Sequence, residues 1–227
     1  MQLRNLAIGY GHPLCSPVKA LLEAGDFVCL VGRNGSGKST LLRTLAGLIA
    51  PLGGEVIVGD KTIGEMSPRG ISRTLAIVLT RLPELRHTTA RQIAASGRLP
   101  YTGLVGHLRA ADYGAADQAL SDIGILHLRD RLFHTLSDGE KQKTMLARAL
   151  AQGTEYLLLD EPSAFLDWPS RRELFSLLRS LAHTRRKAVL LSTHDLELAV
   201  ASADRLWVLR DGKFSVEDPN TFDLSGF

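Results

Sequence analysis

Gly32-Arg33-Asn34-Gly35-Ser36-Gly37-Lys38-Ser39-Thr40 follows the apolar run Phe27 to Val31 and opens the amphipathic stretch Lys38 to Ala46. A strand, a glycine-rich turn and a helix in that order make a phosphate-cradling loop. The glycines let backbone wrap close to a polyanion, and successive amides at a helix start form an anion site. Lys38 supplies a point charge for outer phosphates, and the Ser39 hydroxyl is a hard oxygen ligand suited to Mg²⁺.

Around this loop the chain reads as strands alternating with helices. Upstream, Leu3 to Tyr10 reads as an early strand closed by Gly11-His12-Pro13, and the turn Gly25-Asp26 precedes the second strand. Downstream, Leu41, Leu42 and Leu45 share one face of the helix, with Gly47 as its stop. Glu55 to Val58, held between Gly53-Gly54 and Gly59-Asp60, signals a hairpin. Leu75 to Leu79, Tyr156 to Leu159 and Val189 to Leu191 are apolar runs of the kind that become buried strands. A helix around Arg172 to Leu181 separates the last two. Thr88 to Ala151 is mainly helical, with breaks at Pro100, Gly103 and Gly106. This order predicts an α/β fold with a largely parallel sheet and helices on its faces.

The chain has 227 residues, 27 Lys+Arg against 24 Asp+Glu, and a net charge of +3. With 44% apolar and 22% charged residues it has the composition of a folded domain and not of a disordered chain. No basic tract is concentrated enough to argue for nucleic-acid binding. Two cysteines, Cys15 and Cys29, cannot build a disulfide framework or a four-ligand zinc site, so we expect a reduced, intracellular setting. The start of the chain shows no signal peptide, and no apolar run is long enough to span a membrane. A membrane role would therefore need a partner.

Tyr156 to Leu159 ends in Asp160-Glu161. Ligands of parallel sheets bind at the carboxyl ends of strands, where Asp160 would meet a metal held by Ser39 and Glu161 would polarise an attacking water. Leu136-Ser137-Asp138-Gly139-Glu140 precedes a helix with Met145, Leu146, Ala149 and Leu150 on one face. Ser137 and Glu140 have the spacing of a capping box, and Asp138 favours the helix dipole. A capped, exposed helix start is also a phosphate site, kept open by Gly139, and the local sequence does not choose between these roles.

Together these residues resemble the ATP-binding subunit of an ABC transporter, across nearly the whole chain. Leu136 to Glu140 followed by Gln142 is similar to the family signature. Glu161-Pro162 with Ala164-Phe165-Leu166-Asp167 matches the D-loop, and Thr193-His194-Asp195 the switch histidine. Tyr10 sits where the family stacks an aromatic on adenine. The resemblance implies a P-loop NTPase core with a small antiparallel β-subdomain (residues 1–83 and 152–227) and an inserted helical subdomain (residues 84–151). It implies ATP and Mg²⁺ as cofactors, with Gly32 to Thr40, Tyr10 and Ser137 to Glu140 on ATP. Lys38, Glu161 and His194 would be catalytic, and Ser39 and Asp160 would hold the metal. As partners it implies a second copy, a pair of transmembrane permease subunits, and indirectly a periplasmic or lipid-anchored substrate-binding protein. Peripheral attachment to the cytoplasmic face of the inner membrane follows, with no nucleic acid bound. The stretch after Asp211-Gly212-Lys213 is short, and no C-terminal regulatory domain is expected.

Some positions depart from the family. Thr80 stands where the family has a Gln that touches the metal and the permease interface. It is too short for that span without an intervening water, so we expect it to limit coupling more than hydrolysis. Gln92 lies too far along to be that residue. Asp138 replaces a Gly and Glu140 a Gln, placing two carboxylates near a triphosphate unless they point away. Gly97-Arg98-Leu99-Pro100-Tyr101, and Phe165 within the D-loop, are similar to subunits serving importers of ferric siderophores, haem and cobalamin. A P-loop ATPase of DNA repair shares the motifs but places a coiled coil or zinc module between loop and signature. The interval from Lys38 to Ser137 holds no long heptad run and no cysteine. A small-molecule kinase has no need of the signature, the D-loop or His194.

Overall fold

A computed structural model describes residues 1–103 and 106–224. In chain order, the first strands are β1 (Gln2–Ala7), β2 (Val18–Leu21) and β3 (Phe27–Gly32), followed by α1 (Lys38–Leu45). Next come β4 (Gly53–Val58), β5 (Lys61–Thr62), α2 (Pro68–Thr74) and β6 (Leu75–Val78). Three helices follow, α3 (Ala90–Ser96), α4 (Ala110–Asp122) and α5 (Asp138–Gln152). The chain then runs through β7 (Tyr156–Asp160), α6 (Trp168–Arg185), β8 (Ala188–Thr193), α7 (Leu196–Ser202), β9 (Arg205–Arg210) and β10 (Lys213–Glu217).

The larger sheet has the order β10-β9-β3-β8-β7-β6, parallel except for the antiparallel edge pair β9–β10. The smaller sheet, β2-β1-β4-β5, is antiparallel throughout. Every residue of β3, β7 and β8 is buried, which explains their unbroken apolar sequences.

Successive side chains on a strand point to opposite faces, and the two faces of the large sheet serve two cores. Val28 and Leu30 join Leu158, Leu190 and Trp207 in a core shared with α1 and the antiparallel sheet through Leu41, Leu42, Leu45, Leu3 and Leu6. Phe27, Cys29 and Val31 face the other way, against Leu174, Phe175 and Leu178 of α6 and Leu198 of α7. Phe27 and Phe175 meet edge to face at 6.1 Å. A third core belongs to the helices alone. Ala90, Ala94, Ala116, Ala119, Ala147 and Ala151 are all buried there, small enough for α3, α4 and α5 to pack closely around Ile93 and Leu120.

The antiparallel sheet and the helical unit agree with the expected architecture. The early strand ends at Ala7, short of Tyr10, because the chain folds back through a Gly9–Pro13 bridge. Among the described residues, no helix is long and apolar enough to cross a membrane.

Candidate nucleotide-binding site

The glycines give the phosphate loop its shape. Gly35 (φ +80°) and Gly37 (φ +105°) lie in the left-handed region, and Gly37 turns the loop into α1. Gly32 is needed for a different reason. A Cβ there would stand 2.4 Å from the Leu209 carbonyl oxygen and 2.7 Å from Ser36 Oγ.

Lys38 is only 5% exposed. Its Nζ donates to the carbonyl oxygens of Gly32 at 2.7 Å and Arg33 at 3.2 Å, and lies 3.9 Å from Glu161 Oε1. Burial pulls its pKa below the ordinary lysine value, and the charges of Glu161 and Asp160 act in the opposite direction. Ser36 Oγ is buried with no partner, which leaves hydrogen-bonding capacity open inside the loop. Arg33 and Asn34 are exposed on the loop, and Thr40 is buried on α1.

β7 brings Asp160 to this loop from far along the chain. Ser39 Oγ lies 3.0 Å from Asp160 Oδ1, so a hydroxyl and a carboxylate oxygen stand together as Mg²⁺ requires of its protein ligands. Ser192, at the end of β8, donates to the same Oδ1 at 2.8 Å. Its hydroxyl also accepts the Glu161 N–H at 3.0 Å. Glu161 itself sits at φ +48°, a conformation rare outside glycine and asparagine. His194, just past β8 and 51% exposed on its side chain, places Nδ1 3.8 Å from Glu161 Oε2.

Thr80 donates to the backbone carbonyl oxygen of Asp160 at 3.0 Å, and so does not use its hydroxyl hydrogen on the carboxylate beside Ser39. Gln92 is occupied elsewhere, in a capping box with Thr89 at the start of α3. Tyr10 is 59% exposed on a loop that abuts the phosphate loop. The residues flanking that loop, Ile8 and Leu14, come within 3.6 and 3.4 Å of where a Gly37 Cβ would be.

A second group of residues gathers at the start of α5. Ser137 Oγ accepts from Glu140 N at 3.3 Å, and Glu140 Oε2 accepts from Ser137 N at 2.8 Å, so the capping box is formed. The Ser137 N–H, and after it the Ser137 hydroxyl donating to the same oxygen, hold the Glu140 carboxyl below its ordinary pKa. Asp138 pairs with Lys141 at 2.9 Å. Ser137, Asp138, Gly139 and Glu140 line a cavity of about 510 Å³ together with Phe165 and Asp167. Ala164 is half-buried, Phe165 exposed and Leu166 buried, and Asp167 caps α6 by accepting from Ser170 N at 3.1 Å.

Sequence reasoning overlooked two residues here. Ser192 carried only the weak signal of a hydroxyl closing an apolar strand two residues before His194. Arg171 donates to the Leu166 carbonyl at 2.9 Å and reaches Asp195 Oδ2 at 3.8 Å, linking the Ala164–Asp167 loop to the His194 loop. Nothing in the local sequence around Arg171 announces that link.

Residues 15–164 match the family described as ABC transporter. The chain is 37% identical to the hemin import ATP-binding protein HmuV of Bordetella pertussis, over 96% of this chain and 86% of that protein. It is 38% identical to the cobalamin import ATP-binding protein BtuD of Halobacterium salinarum, covering 89% of this chain but half of the longer relative. Among solved structures it is similar to a chain of an ABC transporter in an inward-facing conformation, described as of the metal-chelate type. The TM-score there is 0.85 at 28% identity, over 96% of this chain and 83% of that one.

Proposed function

The chain belongs to the ABC transporter family, and from that premise we propose that it energises an importer of iron-siderophore, haem or cobalamin cargo by hydrolysing ATP. One observation carries the reading. At or just past the carboxyl ends of the parallel strands β3, β7 and β8, Lys38 and His194 both lie within ion-pair distance of Glu161, and Asp160 lies within hydrogen-bond distance of Ser39. The names of the relatives supply the cargo class.

Lys38 and the loop amides bind the phosphates, and the unpartnered Ser36 hydroxyl has capacity left for them. Ser39 and Asp160 hold Mg²⁺, which neutralises charge on the outer phosphates when bound. Glu161 orients a water and accepts its proton as the water oxygen attacks the γ-phosphorus. His194 donates to the γ-phosphate, and the bond to the β-phosphate oxygen breaks to leave ADP. Tyr10 stacks on the adenine. Ser137 to Glu140 of a second copy, with the loop Ala164 to Asp167, close over the nucleotide, so the working unit is a two-fold pair. In this reading residues 84–151 are the signature subdomain and the remainder is the ATP-binding core. The pair sits on the cytoplasmic face of the inner membrane, drives a pair of permease subunits, and acts indirectly with a periplasmic or lipid-anchored binding protein.

Glu161→Gln keeps the shape of the side chain and removes its charge. Turnover should fall by at least ~10²-fold while ATP binding persists and an ATP-bound dimer accumulates. Full turnover in this variant would remove Glu161 from the base role. Reconstitution with membrane-embedded permease subunits of a metal-chelate importer should raise ATPase activity, and a rate unchanged by its own permease argues against the importer assignment.

A further inference from the structure

The peptide unit that joins Asp160 to Glu161 is held at both of its ends by side-chain hydroxyls, one from the bend just past β6 and one from β8. Pairing between β6 and β7 ends at Val78 and Leu159, so the next carbonyl on that side has no ladder partner. Thr80 Oγ1 donates to that carbonyl, the Asp160 oxygen, at 3.0 Å. On the other side β8 remains in register as far as Ser192, which pairs with Asp160. There Ser192 Oγ accepts the Glu161 N–H at 3.0 Å while donating to Asp160 Oδ1 at 2.8 Å.

A planar peptide fixed at its C=O by one hydroxyl and at its N–H by another has no freedom left to rotate. That plane sets how the chain enters Glu161, whose φ of +48° persists only where its surroundings impose it. Ser192 is fully buried and Thr80 half-buried.

We propose that Thr80 and Ser192 are a pair of positioning residues that aim Glu161 by clamping the Asp160–Glu161 peptide. The proposal rests on Glu161 being the base. It revises the expectation that Thr80 bears on coupling more than on hydrolysis, because its hydroxyl is engaged one peptide away from the hydrolytic carboxylate.

The test measures steady-state ATPase kinetics and calorimetric ATP affinity, with and without Mg²⁺, for the full chain and four variants. Thr80→Val keeps the shape and deletes the hydroxyl; kcat should drop about tenfold with ATP KM and affinity within about twofold of wild type. Thr80→Ser should restore kcat. Ser192→Ala should lower kcat similarly and also weaken the Mg²⁺-dependent part of ATP affinity, since its hydroxyl supports Asp160 as well. The double variant Thr80→Val/Ser192→Ala should lose less than the product of the single losses, because both act through one peptide. Wild-type kcat in Thr80→Val, or strictly multiplicative losses, would overturn the clamp. Glu161→Gln assayed in parallel separates the two failures. If it is inactive while Thr80→Val is unimpaired, the clamp alone is wrong; if it is fully active, the base assignment falls and the clamp with it.

Discussion

Ser137 Oγ donates to Glu140 Oε2 at 3.0 Å, so the hydroxyl at the head of α5 already has a negatively charged acceptor in its own chain. The same carboxylate oxygen accepts the Ser137 backbone N–H. The cap and the nucleotide contact expected of Ser137 in a closed pair therefore compete for one hydroxyl hydrogen. Asp138 adds a further negative charge, offset by Lys141.

This competition gives the first prediction. Glu140→Gln keeps an oxygen to accept from Ser137 N but removes the charge that holds the hydroxyl and repels a triphosphate. In a Glu161→Gln background, the ATP concentration for half-maximal dimerisation should fall a few-fold, equivalent to ~1 kcal/mol for one charge in a water-like dielectric. Light scattering across an ATP titration reads it. An unchanged midpoint would show that Glu140 points away from the nucleotide in the closed pair.

The second prediction concerns acid. Glu65, Asp112 and Glu140 each accept a backbone N–H at the head of a helix, from Thr62, Arg109 and Ser137, and each is held below its ordinary pKa chiefly by that bond. A carboxylate with a lower pKa folded than unfolded binds fewer protons in the native state. Its stabilisation is complete above the unfolded values near 4 and is lost as pH falls through the folded ones. Denaturant midpoints should hold steady from pH 7 to about 5 and fall below that. Glu140→Gln should show a shallower acid decline than wild type, and an identical slope would place the linkage elsewhere.

How far the sequence disclosed this molecule depended on whether a feature was local. The phosphate loop is a contiguous pattern whose geometry follows from its own glycines and the strand and helix around it. Asp160-Glu161 was legible because an apolar strand ending in acids has few other uses beside such a loop. β2, with Lys19 in its four residues, and β9, bounded by Arg205 and Arg210, carry too short or too mixed a pattern to declare themselves. α2 holds Pro68 and Gly70 in seven residues and buries none of them, so it lacks an amphipathic stripe. The contact of Thr80 with the Asp160 carbonyl depends on where β6 stops pairing with β7. That register is a property of the assembled sheet and of no segment within it.

Lys38 supports the third prediction. Its two carbonyl hydrogen bonds brace the loop in the ligand-free chain, and its charge faces Glu161. Lys38→Ala should lower ATP affinity about 10- to 100-fold, from the loss of charge-assisted contacts to phosphate together with loosening of the loop. Calorimetry at fixed Mg²⁺ measures it, and an unchanged affinity would contradict the phosphate-loop assignment.

The last prediction tests the Gly97-Arg98-Leu99-Pro100-Tyr101 segment, which resembles importer subunits and does a specific mechanical job here. Gly97 ends α3 against α5, where an added Cβ would stand 2.2 Å from the Arg148 carbonyl oxygen and 3.1 Å from Gln152 N. Arg98 then donates to the Ala151 carbonyl at 3.2 Å, pairs with Asp112 at 3.3 Å and lies over the Tyr101 ring at 4.2 Å. The segment thus ties all three helices of the alanine-lined core together. Gly97→Ala must push α3 away from α5 and should cost about 1–3 kcal/mol. For a chain of this size that is a drop in Tm of roughly 2–12 °C. Gly114→Ala is the matched control, because Gly114 lies inside α4 with nothing within 4 Å of its added methyl. It should be neutral or should stabilise by up to ~1 kcal/mol through helix propensity. Scanning calorimetry of both variants decides the matter. If Gly97→Ala melts with wild type, close approach of α3 to α5 is not what requires glycine there.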